Sequence, residues 1–367
     1  MSADGPVQDA SSSLVQVSAD PHVSESSLSA LTTWVTPTDR YFIRQHFAQV
    51  PSGERATWHL AVAGEVHRPF TLSFTDLLAL PSQEVVVTTE CAGNSRSYLT
   101  PPAEGLAFRH GAVSTARWKG VPLRILLEQA GVKDTAVEVL FEGADSGREE
   151  EDGVVSDLSY RRSLPLAKAQ HPETLLVYEM NGAALTPDHG FPLRLVVPRW
   201  YGMASVKWLT RIEVLAQPFK GFFQTRRYVM IPEGPEQDFD RVPVTVLQVK
   251  SLMTSPRHGE VIQPGECTLQ GFAWSGAGEI TRVDVSTDGG HSWQEATLHG
   301  ETAPNAWRQW AYRWQTPSPG HFICMVRATD SAGNTQPSTI PWNFRGYANN
   351  AIHTVALEVP ARLAIPS

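Results

Sequence analysis

A change of pattern near Val244 constrains the fold of this chain more than any other feature of its sequence. Beyond it no helical period is visible. Short apolar stretches at Val261–Ile262, Thr268–Ala273, Thr281–Ser286, Ala311–Trp314 and His321–Ala328 are separated by Gly and Pro turns, among them Asp288-Gly289-Gly290. About seven short strands in roughly 110 residues predict an all-β, immunoglobulin-like sandwich over residues 244–367. The preceding stretch is mixed. His59–Ala63 alternates as a strand does, and Leu193–Val197 and Arg211–Leu215 predict two more strands. Ser73-Phe74-Thr75-Asp76 resembles a capping box and predicts a short helix through Leu80. Val121–Gly131 predicts a second helix, with Pro122 in its first turn and Gly131 at its end. These elements predict an α+β domain over residues 34–235. Residues 224–245, with Pro232, Pro235 and Pro243, form the expected interdomain connection. Residues 1–33, rich in Ser, Asp and Ala, are expected to be a disordered or loosely ordered arm. A chain of 367 residues is too long for one hydrophobic core and suits two.

Composition narrows the function. A net charge of −8 argues against nucleic-acid binding, which needs basic stripes. No apolar run approaches the ~20 residues that span a bilayer, and no secretory leader is visible, so a cytoplasmic protein without a membrane partner is expected. The three cysteines, Cys91, Cys267 and Cys324, include no Cys-x-x-Cys pair, which argues against structural zinc, iron–sulfur clusters and attached haem. Neither GxGxxG nor GxxxxGK[ST] occurs, so the common nucleotide folds have no support.

Cys91 closes the stretch Val85-Val86-Val87-Thr88-Thr89-Glu90, a buried strand by its pattern, and Gly93-Asn94 follows as a turn. Strand ends of this kind are where sites are built. The thiol is a nucleophile, a soft metal ligand or an inert core residue, and no protease-type signature surrounds it. Arg44, Arg96 and Arg345 each sit among aromatic or apolar neighbours, where a guanidinium needs an anionic partner. His189, Arg194 and Lys207 fall within a short span and suit a phosphate. Tyr228 follows Arg226 and Arg227, which are expected to acidify its phenol and make it a donor to an anion.

Taken together, the motifs resemble the sulfite oxidase family of molybdenum enzymes. They are Cys91-Ala-Gly-Asn-x-Arg96, Gly111–Trp118, Tyr178–Gly182, Asp188–Pro192, Ser205–Leu209 and Trp342-Asn343-x-Arg345-Gly346, in the family's order from about Trp34 to Val359. The resemblance implies a molybdopterin-binding α+β domain and a second domain that forms homodimers. It implies that Cys91 is the protein thiolate on molybdenum. It assigns the molybdopterin to Phe42, Ile43, Arg44, Gln45, His46, Asp145, His189, Arg194, Ser205, Val206 and Lys207. It assigns an oxyanion pocket to Arg44, Arg96, Arg345 and Tyr228, with Phe108 where the family has a tryptophan. The implied reaction is oxidation of sulfite to sulfate by oxygen-atom transfer. No cytochrome b5-type haem segment is expected in this chain, so two electrons leave to oxygen or to a separate acceptor such as a cytochrome. The loss of the indole N–H at Phe108 keeps open a related molybdenum oxidoreductase acting on nitrate or another sulfur compound. From another class, a non-catalytic two-domain binding protein with an inert Cys91 is the remaining alternative. Cys267 and Cys324 fall on opposite strands of the predicted sandwich and are expected to be two buried thiols rather than a disulfide.

Overall fold

A computed structural model describes residues 13–151, 154–230, 241–316 and 319–361. Its first half is built on two five-stranded sheets. In one, Gln83–Glu90 pairs antiparallel with Val113–Pro122, which pairs with Leu175–Met180. In the other, Leu209–Leu215 runs parallel to His59–Gly64 and antiparallel to Glu138–Glu151. Ser73 accepts from the Asp76 N–H while the Asp76 carboxylate accepts from the Ser73 N–H, so the expected capping box starts the helix Phe74–Leu78. The second expected helix is Leu123–Ala130. It begins after Pro122, which ends the preceding strand, and Gly131 closes it at φ 67°.

The expectation of a disordered arm is corrected for the residues described. Leu14–Ser18 and Val23–Ser26 pair with each other, and Val23–Ser26 also pairs with Ile43–Arg44. The main body imposes this order. The Glu25 carboxylate accepts the backbone N–H groups of Arg109 (2.9 Å) and Gly111 (3.3 Å), and burial raises its pKa to about 7. Residues 1–12 of the expected arm, and 231–240 of the expected connection with Pro232 and Pro235, lie outside the described residues.

The second half is two sheets packed face to face. Lys250–Ser255, Glu266–Trp274, Arg308–Gln315 and Thr297–His299 make a four-stranded sheet. Glu260–Val261, His353–Val359, Gly320–Asp330, Ile280–Ser286 and Gln294–Glu295 make the five-stranded one. Met253, Leu269 and Trp310 from one meet Val283, Val326 and Val355 from the other. Cys267 and Cys324, on different sheets, are free thiols, the first half-buried and the second buried.

The halves share a core. Leu252, Phe272, Trp274 and Trp307 belong to the same apolar cluster as Leu31, Trp34 and Val113. Trp34 Nε1 donates to the Trp307 carbonyl (3.0 Å) and Trp307 Nε1 to the Trp34 carbonyl (2.7 Å). No helix among the described residues is long and apolar enough to cross a membrane.

Candidate active site

The last four residues of Gln83–Glu90 are buried, and Cys91 follows at 8% exposure. The chain then turns, with Asn94 N–H donating to the Cys91 carbonyl at 2.9 Å. Asn94 fixes the turn from within. Its Nδ2 donates to Glu90 Oε1 (2.9 Å), and its Oδ1 accepts the Ala112 N–H (3.1 Å). Ser95 takes φ 70°, which reverses the chain and sends Arg96 back beside the thiol. Gly93 and Gly105 make room for that guanidinium. A Cβ on Gly93 would lie 2.6 Å from Arg96 Nη2, and one on Gly105 2.9 Å from Nη1.

Behind the turn lies a buried ion pair across the two halves. Lys250 Nζ sits 2.9 Å from Glu90 Oε1 and 2.8 Å from Ser95 Oγ, and Trp274 Nε1 donates to Glu90 Oε2 at 2.9 Å. Both charged side chains are 2% exposed. Sequence reasoning missed this network, because one Glu and one Lys 160 positions apart carry no local signal. Burial raises the Cys91 pKa, and Arg44 and Arg96 work the other way.

Two adjoining cavities meet at Cys91, and Arg44, His46 and Tyr228 belong to both walls. The first cavity gathers most of the residues assigned to the molybdopterin. Phe42, Asp145, His189, Arg194, Ser205 and Lys207 line it. Arg194 donates to the carbonyls of His189 (3.1 Å) and Ser205 (3.3 Å) and stacks over Trp118. Lys207 donates to the Asp188 carbonyl at 2.9 Å. Burial, with Arg194 and Lys207 nearby, holds His189 neutral, its pKa lowered to about 3. Burial also depresses Arg194, to about 10, and lowers Lys207, while it raises Asp145 against the pull of Lys207. Ile43, Gln45 and Val206 are off this wall. Gln45 is buried behind it and donates to Asp188 Oδ1 at 2.6 Å, and Val206 is fully buried in the main core. The resemblance assigned them together with their neighbours, and a side chain one residue along an extended chain faces the opposite way. Tyr41, Thr89, Tyr160 and Met203 line the wall without having been expected there.

The second cavity gathers all five residues assigned to the oxyanion pocket, Arg44, Arg96, Phe108, Tyr228 and Arg345. Arg96 Nε donates to the Arg345 carbonyl (2.7 Å) and Nη1 to the Leu106 carbonyl (2.8 Å). Arg345 Nη1 lies 3.0 Å from Glu104 Oε1, and Arg227 Nη2 lies 3.1 Å from Glu149 Oε2. Tyr228, at φ 53°, bonds His46 through its hydroxyl and stacks on Tyr347. The expected acidification of Tyr228 is corrected. Burial pushes its pKa up, and the counteracting cations are Arg44 and Arg162 rather than the sequence neighbours Arg226 and Arg227. The phenol therefore stays protonated and remains a donor.

The residues fit a large anionic cofactor with a soft metal. Arg194 Nε and Asp145 Oδ1 are buried polar atoms without a protein partner, on the wall where such a group would lie. Cys91 places its sulfur where the two cavities meet, a donor that suits a soft metal once deprotonated. Among the described residues no cluster of three or more His, Cys, Asp or Glu side chains is placed to hold a metal ion.

Comparison with known proteins agrees with this geometry. Residues 47–223 match the family described as oxidoreductase molybdopterin binding domain, and residues 241–360 the Mo-co oxidoreductase dimerisation domain. Mitochondrial sulfite oxidase of Mus musculus is 41% identical over 345 residues, covering 89% of this chain and 62% of that protein. Sulfite oxidase of Arabidopsis thaliana is 33% identical, covering 93% of this chain and 92% of that protein. The crystal structure of the sulfane dehydrogenase SoxCD from Paracoccus pantotrophus superposes with a TM-score of 0.80 at 31% identity, covering 92% of this chain and 85% of that one. The chain spans about three fifths of the length of the mammalian relatives it matches.

Proposed function

As the chain belongs to the sulfite oxidase family, we propose that it oxidises sulfite to sulfate with a molybdenum–molybdopterin cofactor. One observation carries the reading. Arg44, Arg96 and Tyr228 from the first half and Arg345 from the second converge on one cavity wall at Cys91. When bound, the molybdenum cofactor supplies the oxygen atom to be transferred and accepts the two electrons. Cys91 holds the metal as thiolate, and His189, Arg194, Ser205 and Lys207 hold the pterin's phosphate. Arg44, Arg96 and Arg345 bind and orient the sulfite oxyanion by charge-assisted hydrogen bonds in a water-poor pocket. The Tyr228 hydroxyl donates a further bond, and Phe108 closes the apolar wall.

In this reading residues 34–235 form the catalytic domain and residues 244–367 an immunoglobulin-type sandwich. The two packed sheets support the sandwich. The match to a dimerisation domain supports a homodimer. Electrons pass from the molybdenum site to an external acceptor, a separate cytochrome or oxygen. A second reading, a sulfane sulfur substrate, is favoured by the likeness to the sulfane dehydrogenase and by the smaller aromatic at Phe108. The test is molybdenum content together with ferricyanide reduction driven by sulfite or a sulfane compound, with nitrate reduction followed separately from a reduced dye as electron donor, all set against oxygen uptake. Sulfite is expected to give the highest kcat/KM. A protein without molybdenum after expression alongside the cofactor-synthesis genes, or a sulfite rate no better than the others, overturns the proposal.

A further inference from the structure

We propose that Glu104 sets the anion affinity of the pocket by competing with the substrate for Arg345. This rests on the proposed function only in that it concerns the same cavity. The Glu104 carboxylate lies 3.0 Å from Arg345 Nη1 on the wall that also carries Arg96, Phe108 and Cys91. The pair is asymmetric. The side chain of Arg345 is 6% exposed and that of Glu104 53%.

Arg345 is fixed. Its carbonyl accepts from Arg96 Nε at 2.7 Å, and its guanidinium packs 5.3 Å from the Phe344 ring. The Glu104 backbone is also anchored, its N–H donating to the Phe344 carbonyl at 3.2 Å. The Glu104 side chain is therefore the part of the pair that can move, and it can turn into water at little desolvation cost. A carboxylate and a sulfur oxyanion offer a guanidinium the same kind of acceptor, so they compete for the same donors. The other carboxylate on this wall is less free. Glu149 is 17% exposed and paired with Arg227 at 3.1 Å.

A dianion that reaches Arg345 either displaces Glu104 or sits beside a like charge, and both weaken its hold. The pocket consequently binds a dianion more loosely than its guanidiniums alone would. That matters for a reaction whose product, sulfate, carries the same charge as its substrate.

The experiment is isothermal titration of sulfate into the full chain carrying its cofactor, at fixed ionic strength, with Glu104→Gln and Glu104→Asp alongside the wild type. Removing the charge in Glu104→Gln is expected to tighten sulfate about tenfold and to lower the KM for sulfite without raising kcat. Glu104→Asp, which keeps the charge, is expected to stay near wild type. Sulfate binding unchanged or weakened in Glu104→Gln, or the two variants behaving alike, overturns the proposal. Tighter sulfate in Glu104→Gln together with no sulfite oxidation by the wild type would remove the proposed function and leave Glu104 as the competitor.

Discussion

On the His189 side of Cys91, Arg194 and Lys207 bond backbone carbonyls, whereas on the Arg345 side two guanidiniums face the carboxylates of Glu104 and Glu149. Carbonyls satisfy donors without cancelling charge, and burial in this wall depresses both cations in pKa, Arg194 adding to the effect on Lys207 while Asp145 and Asp188 oppose it. Such a wall suits an anion that is held for the life of the protein. On the second side Glu104 and Glu149 pair with two of the four arginines, Arg345 and Arg227, so an incoming anion competes with a carboxylate, and a site of that kind can exchange one anion for another. In the proposed function the same residue type, Arg, serves retention on one side and turnover on the other, and its partner makes the difference.

The comparison can be broken at the point where the two sides meet. Cys91→Ser is expected to abolish sulfite oxidation while most of the pterin stays bound. Substantial residual turnover with full pterin content would refute the ligand assignment.

Behind the turn, Lys250→Met leaves Glu90 buried without its counter-charge, with an expected loss of about 3–5 kcal/mol in urea unfolding. Neutralising both partners, Glu90→Gln with Lys250→Met, should recover most of that loss. A double variant as unstable as the single one would show that packing, not the charge pair, holds the turn.

The two sides should then separate cleanly. Arg345→Ala is expected to raise the KM for sulfite about 100-fold with the pterin retained, the cost of losing a desolvated charge partner. Arg194→Met is expected to lower pterin content and leave the KM of the loaded fraction nearly unchanged. Equal pterin loss in both variants would erase the distinction.

The smallest effect concerns the region near Ser95. His110 packs against His353 at 4.3 Å between ring centroids, and burial lowers the pKa of each, His353 to about 3. Their folded values lie below the unfolded value near 6.5, so the unfolded chain takes up protons first. The stability they contribute is complete above that value and is lost as pH falls towards 3. Glu25, raised to about 7, has the opposite slope between about 4.5 and 7. His353→Gln isolates one histidine, and its acid limb is expected to be shallower than wild type by about 1 kcal/mol per pH unit. Urea midpoints at pH 7.5 and 5.5 measure it, and parallel limbs would remove His353 from the account.

Patterns of near neighbours were readable without coordinates. The capping box at Ser73, the Gly131 stop and the strand into Cys91 all depend on a few consecutive residues. The hairpin Glu138–Glu151 with Val154–Pro165 was not readable. Its outer part, around Arg148 and Asp157, stands in solvent and lacks apolar alternation. Lys250–Ser255 escaped for the opposite reason. It buries a lysine and a serine whose partners, Glu90 and Gln336, lie far away in sequence. His353–Val359 does alternate buried and open positions, and that signal was there to be used.

By itself the sequence determined the chemistry of the site: a cysteine at a strand end, a set of arginines, and motifs in the order of one family. Motifs are local strings, and a single chain suffices to carry them. Only the tertiary structure decided how those groups divide around Cys91. The partners that set their charge, Glu104 for Arg345, the His189 carbonyl for Arg194 and Glu90 for Lys250, are chosen by which strands and turns meet in space. Electrostatic energy depends on distance and burial rather than on order along the chain, so the division becomes visible only in the fold.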